Sequence, residues 1–218
     1  MFDFGIPGYQ PTWSHARPDI ETAHGARLAA LAGRTLTRVW LVWDLDEDEW
    51  FADCPVLLDF AGEQVEVNHQ KFDDLSITWN SVSPGGPVAW PTSDDFRLAW
   101  RSAEGLAGHD EDGVVAEPLP GLAALPGRRL REVALLEWRG ATGDLANGSL
   151  ALGFAFADTD LVVYNGLDEN ALTVGPPDPR YRRHPLGRAN RPLAPVPPGG
   201  AADLGRNRPL EGPFPTKI

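Results

Sequence analysis

Apolar and polar residues alternate in two separate stretches of the chain, and this alternation predicts strands. The first predicted strand covers residues 35–43, and its counterpart covers residues 129–138. Apolar residues occupy both faces of the first strand, with Val39, Leu41 and Trp43 on one face and Trp40 and Val42 on the other. A strand that is apolar on both faces is usually central in a sheet and covered on both sides.

Three further strands follow in each stretch, with an apolar residue at every second position. In the first stretch these positions are Val56, Leu58 and Phe60, then Val65 and Val67, then Leu75, Ile77 and Trp79. In the second stretch they are Leu150, Leu152 and Phe154, then Val162 and Tyr164, then Leu172 and Val174. A period of two places one face of each strand on a core. Each stretch therefore predicts a four-stranded meander with one apolar face.

The two stretches also match each other in sequence, which predicts an internal duplication. Residues 28–36 match residues 122–130 at an offset of 94. The same offset relates Val39/Val133, Leu41/Leu135, Val56/Leu150, Leu58/Leu152, Phe60/Phe154 and Ala61/Ala155. Three residues are then inserted in the second copy, and an offset of 97 relates Val65/Val162, Asn68/Asn165, Leu75/Leu172 and Ile77/Val174. We interpret Asn68 and Asn165 as equivalent turn residues, because asparagine bonds to its own backbone and tolerates left-handed geometry.

A meander with one apolar face is marginally stable alone, whereas two copies can bury those faces against each other. We therefore predict a mainly β fold: a pseudo-twofold, duplicated antiparallel β-sandwich or barrel of about eight strands. One or two short helices and a proline-rich C-terminal tail complete this prediction. Two small β domains side by side are the alternative. One helix is expected before the first copy, capped by Asp19, and left-handed backbone is expected at Gly33 and Gly127.

This pattern divides the chain into five parts. They are an N-terminal arm with the start of a helix (1–27), a first β repeat (28–84), a connector (85–121), a second β repeat (122–177) and a tail rich in proline and arginine (178–218). The connector contains a short strand or helix at 96–100 and then an acidic loop. From Pro176 onward 11 of 43 residues are proline. Because proline lacks a backbone donor, we expect this tail to be extended or disordered.

Charge is distributed unevenly along the chain. Residues 1–175 carry a net charge of −17 and residues 176–218 a net charge of +5. The acidic body disfavours nucleic acid, which needs Lys and Arg at its phosphates, and suits a basic protein partner. The single cysteine, Cys54, excludes an internal disulfide, and we interpret it as a structural residue of a protein in a reducing compartment. No signal peptide or membrane helix is expected, so we predict a cytoplasmic bacterial protein.

The sequence lacks motifs for catalysis, cofactors or metals. It contains no phosphate-binding loop, no dinucleotide-binding glycine pattern, no nucleophile elbow and no His-Glu-x-x-His. Asp44, Asp46 and Asp48 alternate as in a calcium loop, but Glu49 replaces the glycine and Pro55 the last ligand of such a loop. The five histidines share no metal spacing and are interpreted as surface or loop residues. We predict no cofactor, no metal site and no catalytic residue.

We expect interaction residues instead. Seven of the eight tryptophans precede residue 101, and an exposed tryptophan can anchor a protein interface or stack on a sugar. The predicted interaction residues are Asp46, Glu47, Asp48, Glu49 and Trp50 at an acidic hairpin tip, Trp90 and Trp100 in the connector, and Arg180, Arg182 and Arg183 at the start of the tail.

These features predict a non-catalytic protein-interaction module that inhibits or regulates a basic partner, or that associates with itself. Bacterial immunity proteins have this general character, although the comparison rests on composition alone. One alternative is a carbohydrate- or small-ligand-binding β domain that uses Trp40, Trp50, Trp90 or Trp100. Another is an enzyme with an unrecognised carboxylate site, which would hold two carboxylates about 5–10 Å apart in a cleft.

Overall fold

In the part of the chain that the structure describes, the fold is mainly β, with two large antiparallel sheets, a two-stranded ribbon and one α-helix. A computed structural model describes residues 4–91, 96–106, 108–109, 115–116 and 119–187. The prediction of a mainly β protein is confirmed. The predicted acidic loop of the connector and residues 188–218 of the predicted tail lie outside the described residues.

The first sheet has seven strands. They are β1 (Trp13–Ser14), β2 (Leu36–Asp44), β3 (Glu49–Trp50), β4 (Val56–Phe60), β5 (Glu63–Gln70), β6 (Asp74–Trp79) and β7 (Leu98–Ser102). Their order is β1-β6-β5-β4-β2, and both β3 and β7 pair with β2. The strands β2, β4, β5 and β6 form the predicted meander. The connector segment that was predicted as a strand or helix is the strand β7.

A two-stranded ribbon, β8 (Gly108–His109) with β9 (Val115–Ala116), precedes the second sheet. The strands of that sheet are β10 (Glu132–Trp138), β11 (Leu150–Ala155), β12 (Asp160–Asn165), β13 (Asn170–Val174) and β14 (Tyr181–Pro185). Their order is β13-β12-β11-β10-β14, so a second meander is extended by β14 at one edge. The segment predicted as an extended or disordered tail therefore begins with a paired strand.

The predicted helix is α1 (Arg17–Ala29), but it begins differently from the prediction. Ala16 is the N-cap residue, and no side chain caps this end. Pro18 lies in the first turn, where a backbone N–H would have no acceptor within the helix, so proline costs no hydrogen bond there. Asp19 also lies inside that turn, where a negative charge is stabilised by the helix dipole. In the part of the chain that the structure describes, no helix combines the length and apolar character needed to cross a membrane.

The two sheets pack through one common core in a sandwich-like arrangement. The core residues on the strands include Val39, Leu41, Trp43, Val56, Leu58 and Phe60 from the first sheet and Val133, Leu135, Leu150, Leu152 and Phe154 from the second. Phe60 and Phe154 stack with their ring centroids 6.2 Å apart. The faces predicted for β2, β4 and β11 are thus confirmed. Helix α1 adds Ile20 and Leu28 to the same core.

Paired hydrogen bonds join the segments that precede β2 and β10. The Gly33 N–H donates to the Leu130 carbonyl, and the Gly127 N–H donates to the Leu36 carbonyl, both at 2.8 Å. A second pair, Leu36 to Arg128 and Leu130 to Arg34, measures 2.9 Å in each case. If each residue of one bond is replaced by the residue 94 positions away, the result is the other bond of the same pair. Gly33 and Gly127 have φ values of +88° and +87°, which confirms the predicted left-handed backbone.

The predicted offset of 97 beyond this region is wrong in β12. Val65 pairs with Leu58, and Val163 pairs with the counterpart Leu152, so Val163 and not Val162 corresponds to Val65. Val65 and Val163 both lie in the common core, whereas Val162 lies on the other face of its sheet. A shift of one residue moves a side chain to the opposite face. Measured by strand pairing, β12 is therefore offset from β5 by 98 positions rather than the predicted 97.

The outer face of the first sheet is covered by other parts of the chain. Val42 and Leu57 point away from the common core and belong to a second apolar cluster. This cluster also includes Phe4, Ile6 and Tyr9 from the N-terminal arm and Val82 and Val88 from the segment after β6. The arm and that segment are joined where the Ala89 N–H donates to the Gly5 carbonyl at 3.0 Å.

Candidate functional site

The outer face of the second sheet carries a small apolar cluster of its own. Its buried members are Ala134, Leu136, Ala151 and Val162, with Tyr164 and Tyr181 packed against them. Among the described residues, this cluster draws only on β10, β11, β12 and β14. Ala134 and Ala151 are small, whereas the partly buried residues packed against the cluster are the aromatic Tyr164 and Tyr181.

A groove with a volume of about 430 Å³ lies above Val162 on this face. Its other lining residues are Trp138, Tyr164, Thr173, Pro176, Pro177, Asp178, Arg180 and Tyr181. Ligand pockets commonly measure about 300–1,000 Å³ and combine aromatic walls with a few polar groups. We call this feature the aromatic groove.

Trp138 is held in one orientation at the end of β10. Its indole Nε1–H donates to Asp144 Oδ2 at 2.8 Å, and Asp144 Oδ1 accepts the Ala146 N–H at 2.9 Å. These two bonds keep the pKa of the Asp144 carboxyl below its usual value. Tyr181 meets the indole edge to face, with ring centroids 5.0 Å apart and planes at 70°. The loop after β10 thus fixes an aromatic wall before any ligand arrives.

Arg180 and Asp178 provide the charged groups of the aromatic groove. The guanidinium carbon of Arg180 lies 4.2 Å from the centre of a Trp138 ring. Arg180 also donates two hydrogen bonds to the Asp178 carboxylate, at 3.0 and 2.7 Å. This pairing lowers the pKa of Asp178 to about 2, so the carboxylate is charged at neutral pH.

Tyr181 remains a neutral hydrogen-bonding group in the aromatic groove. Burial raises its pKa to about 12, and the neighbouring Tyr164 adds to this increase. The phenol therefore keeps its proton and can both donate and accept. The aromatic groove can hold an apolar segment against its rings and bond to backbone groups with its phenol.

The predicted acidic hairpin is present between β2 and β3, but part of its charge is already paired. Asp46 forms an ion pair with Arg97 at 2.8 Å, and Asp48 forms one with Arg101 at 2.9 Å. Asp48 also accepts the Trp43 indole N–H, and this bond together with Arg101 lowers its pKa. Glu47 and Glu49 are exposed. The role of this hairpin as an interaction surface stays a prediction.

The three predicted interaction tryptophans do not form one surface. Trp50 packs against the common core, whereas Trp90 and Trp100 pack against the second cluster. The centroid of the Trp90 ring lies 6.0 Å from that of Phe4 and 4.9 Å from that of Phe51, in edge-to-face geometry in both cases. All three are partly buried, so their first role is to complete packing.

The three predicted arginines have different environments. Arg180 lines the aromatic groove. Arg183 pairs with Glu132 at 2.9 Å and with Asp160 at 3.4 Å on the same outer face. Arg182 is exposed, and His184, two residues further along, bonds to Glu137 on the adjacent strand.

One cluster among the described residues has the composition of a cation site. His15 Nδ1 lies 2.6 Å from Asp74 Oδ1 and 3.7 Å from Asp73 Oδ1. However, the Lys71 ammonium lies 2.7 Å from Asp74 Oδ2 and already supplies a positive charge. These residues could ligate a metal only in competition with that ion pair.

A buried polar network between the two sheets corrects two sequence interpretations. His69 is only 1% exposed rather than a surface residue, and its Nδ1 and Nε2 lie 3.2 Å from Asn170 Oδ1 and from the Leu150 carbonyl. Asn68 is also buried in β5 and bonds to Asn170 at 2.6 Å, so it is not a turn residue. Asn165 does hold a turn, since its Oδ1 accepts hydrogen bonds from the backbone N–H groups of Leu167 and Asp168.

Sequence reasoning missed Trp138, Tyr164 and Tyr181, the three walls of the aromatic groove. Each is a single aromatic residue at a strand end, and their sequence positions are far apart. The alternation of small and apolar residues on β10, Ala134, Leu136 and Trp138, was the available signal for this second apolar face.

The fold and the aromatic groove define a two-sheet antiparallel β protein with a preformed aromatic cleft on one sheet. No family model, no curated protein and no solved structure matches the chain.

Proposed function

We propose that the protein is a non-catalytic protein-interaction module, and that its aromatic groove binds an extended, proline-containing segment of a protein chain. The carrying observation is the difference between the two outer faces. Segments of the chain itself cover Val42 and Leu57 on the first sheet, whereas the aromatic groove lies on the corresponding face of the second.

The two faces are built on corresponding positions. At the offset of 94, Val42 corresponds to Leu136 and Leu57 to Ala151, and each pair occupies the outer face of its sheet. On the first sheet an irregular arm that includes Phe4, with left-handed backbone at Gly5 and Gly8, completes the packing. The corresponding cover for the second sheet is therefore also expected to be a chain segment.

The chemistry of the aromatic groove favours proline in that segment. Proline-rich peptides adopt the polyproline II conformation and dock against aromatic-lined grooves with little loss of conformational freedom. Trp138, Tyr164 and Tyr181 provide the rings, and the Tyr181 hydroxyl can bond to a peptide carbonyl.

The contacts of Trp138 favour a peptide over the carbohydrate alternative. A sugar stacks on a flat, free ring face, but Arg180 lies over the indole and Tyr181 meets it from the side. A peptide can instead use the apolar contacts of Tyr164, Pro176 and Pro177 in the groove lining, together with the Tyr181 phenol. The acidic hairpin remains a second proposed surface, with Glu47 and Glu49 available to a basic partner.

We further propose that the two sheets descend from one duplicated unit and that the protein works in the cytoplasm. The paired hydrogen bonds around Gly33 and Gly127 and the common strand order of the meanders support the duplication. The free, buried thiol of Cys54 fits a reducing compartment, and burial raises its pKa and keeps it unreactive.

Peptide arrays probed with the purified full chain test the proposed function. We expect extended peptides with spaced prolines to be retained and to shift the Trp138 indole N–H signal in NMR. Arg180→Ala and Tyr164→Ala should each weaken this binding by at least about tenfold, as expected for residues at an interface centre. Arg27→Ala is the matched control, because Arg27 also stacks on a tryptophan, Trp79, at 4.4 Å but outside the aromatic groove.

Two results would overturn the assignment to the aromatic groove. One is equal peptide binding by the groove variants and the control. The other is selective retention of basic peptides that disappears on charge reversal of Glu47 and Glu49, which would move the site to the acidic hairpin.

A further inference from the structure

Three side chains that can ligate a metal ion come together where strand β1 ends beside strand β6. Ser14 of β1 pairs with Leu75 of β6, and the next pair in this antiparallel register is His15 with Asp74. His15 Nδ1 lies 2.6 Å from Asp74 Oδ1 and 3.7 Å from Asp73 Oδ1. All three ligand atoms lie within 4.8 Å of one another, and no other group of three such side chains among the described residues is close enough to hold an ion.

The Asp74 carboxylate has one oxygen that lacks a hydrogen bond. Asp74 is only 1% exposed, and its Oδ1 accepts no hydrogen bond from the residues that the structure describes. A buried carboxylate oxygen without a hydrogen bond is costly. His15 Nδ1 approaches this oxygen from outside the axis of a ring N–H, so a protonated imidazole would supply charge but no directed bond. A metal on the ring-nitrogen axis takes its other ligands from the side, as this arrangement allows.

The charge around this oxygen is strongly negative. The Lys71 backbone N–H donates to the Asp168 carboxylate, and the Lys71 ammonium lies 2.7 Å from Asp74 Oδ2. The carboxylates of Asp73, Asp74 and Asp168 therefore face one positive charge. When His15 is neutral, the excess is two negative charges, which is the charge that one divalent cation neutralises.

We propose that His15, Asp73 and Asp74 form a binding site for one divalent transition-metal ion, with Zn²⁺ as the ion that fits best. An imidazole ligand favours zinc and related metals, whereas ligands that are all oxygen suit Mg²⁺ and Ca²⁺. Two ligand atoms about 2.1 Å from a zinc ion lie about 3.0–3.4 Å apart, and the separations of 2.6 and 3.7 Å bracket this range. This inference is independent of the aromatic groove, which lies on the second sheet.

The proposed site is open on one side, which allows an ion to enter. The side chains of His15 and Asp73 are 60% and 58% exposed, so small rotations can bring both to the ion. The side chain of Asp74 is only 2% exposed and supplies the fixed ligand. Three protein ligands with a fourth position for water are a usual arrangement for zinc.

A bound ion would fasten the end of the N-terminal arm to the first sheet. His15 follows β1 and precedes helix α1, whereas Asp74 is the first residue of β6. Strand β1 has only two residues, so few backbone bonds hold this junction. An ion that binds only the folded chain stabilises it more as the ion concentration rises. We therefore expect Zn²⁺ to raise the temperature of thermal unfolding.

Calorimetric titration of the metal-free full chain with zinc chloride tests the proposal. Excess Mg²⁺ in the buffer competes for sites made of carboxylates alone, so a site with a nitrogen ligand is selected. We expect one Zn²⁺ to bind per chain with micromolar affinity and to raise the temperature of unfolding. In ¹⁵N NMR, the His15 Nδ1 signal should shift on binding, because this atom is the proposed ligand.

Variants of the exposed ligands separate ion binding from folding. His15→Gln and Asp73→Asn should each weaken zinc binding by at least about tenfold. Lys71→Met should instead strengthen it by about tenfold, because the competing ammonium is removed. His184→Gln is the matched control, since His184 lies 2.9 Å from one carboxylate, that of Glu137, but belongs to no group of three ligands.

Four results would overturn the proposal. The first is no zinc binding by the natural chain in the presence of Mg²⁺. The second is equal zinc binding by the natural chain, His15→Gln and Asp73→Asn, and the third is an equal loss in the His184→Gln control; either would place the ion elsewhere. The fourth is an unchanged His15 Nδ1 signal at saturating zinc. Peptide binding in the aromatic groove should be the same in His15→Gln and the natural chain, so the two proposals are tested separately.

Discussion

At the scale of single residues, His69 illustrates how burial of one titratable side chain makes the stability of the fold depend on pH. Its ring nitrogens face two acceptors, the Asn170 side chain and the Leu150 carbonyl, yet a neutral imidazole can donate from only one nitrogen. Burial nevertheless lowers the pKa of His69 to about 4, while both contacts raise it less strongly. The neutral form therefore dominates in the folded protein at neutral pH.

This burial predicts a loss of stability in mild acid. Between about pH 6.5 and pH 4 the unfolded chain takes up a proton at His69 that the folded chain does not. The free energy of unfolding should therefore be highest above pH 6.5 and should fall by about 3 kcal/mol towards pH 4 through this residue. Urea denaturation at several pH values, compared between the natural chain and His69→Gln, isolates this contribution. Parallel pH profiles of the two chains would contradict the prediction.

At the scale of elements, the N-terminal arm depends on one close backbone approach. Gly5 has φ +60°, and a Cβ added there would lie 1.4 Å from the Ala89 carbonyl oxygen. No side chain fits that space without separating the arm from the segment after β6. The arm can therefore cover the first sheet only with glycine at this position.

We predict that Gly5→Ala detaches the arm and destabilises the first sheet. Loss of the cover over Val42 and Leu57 should cost about 2–4 kcal/mol of unfolding free energy, in the range of other buried apolar losses. Gly143→Ala is the control, because Gly143 has φ +89° with no atom within 4 Å, so only backbone strain of about 1 kcal/mol is expected. Chemical denaturation measures both variants. A similar cost for the two would show that the approach to Ala89 is unimportant.

At the scale of the whole molecule, the sheets should unfold together because they share one core. Phe60 and Phe154 occupy matching positions and stack across the interface between the sheets. Neither sheet can keep its inner face covered when the other separates.

Phe60→Ala and Phe154→Ala should each lower the free energy of unfolding by about 3–5 kcal/mol. Because the rings touch, the double variant should cost less than the sum of the single variants. Thermal unfolding followed at signals from β5 and from β12 should give one coincident transition for each chain. A cost below about 1 kcal/mol at either site, or two separate transitions, would contradict the shared core.

Much of the fold could be predicted from the sequence. The strand faces of β2, β4 and β11 and the left-handed glycines followed from alternation and turn chemistry, which depend on neighbouring residues. The candidate site could not be predicted in this way. Trp138, Tyr164 and Tyr181 come from three strands, and only the pairing of those strands brings them together.

The sequence by itself determined the strands of the two meanders and the apolar faces of β2, β4 and β11, because a period of two is a local property of the backbone. Only the tertiary structure decided the register of β12, the pairing of the arginine-rich β14 with β10, and the ion pairs that neutralise Asp46 and Asp48. Each of these depends on a partner distant in the chain, and a one-residue change in pairing reverses the side chain's face. The aromatic groove arises from such distant pairings, and local sequence shows only that β10 has a second apolar face, formed by Ala134, Leu136 and Trp138.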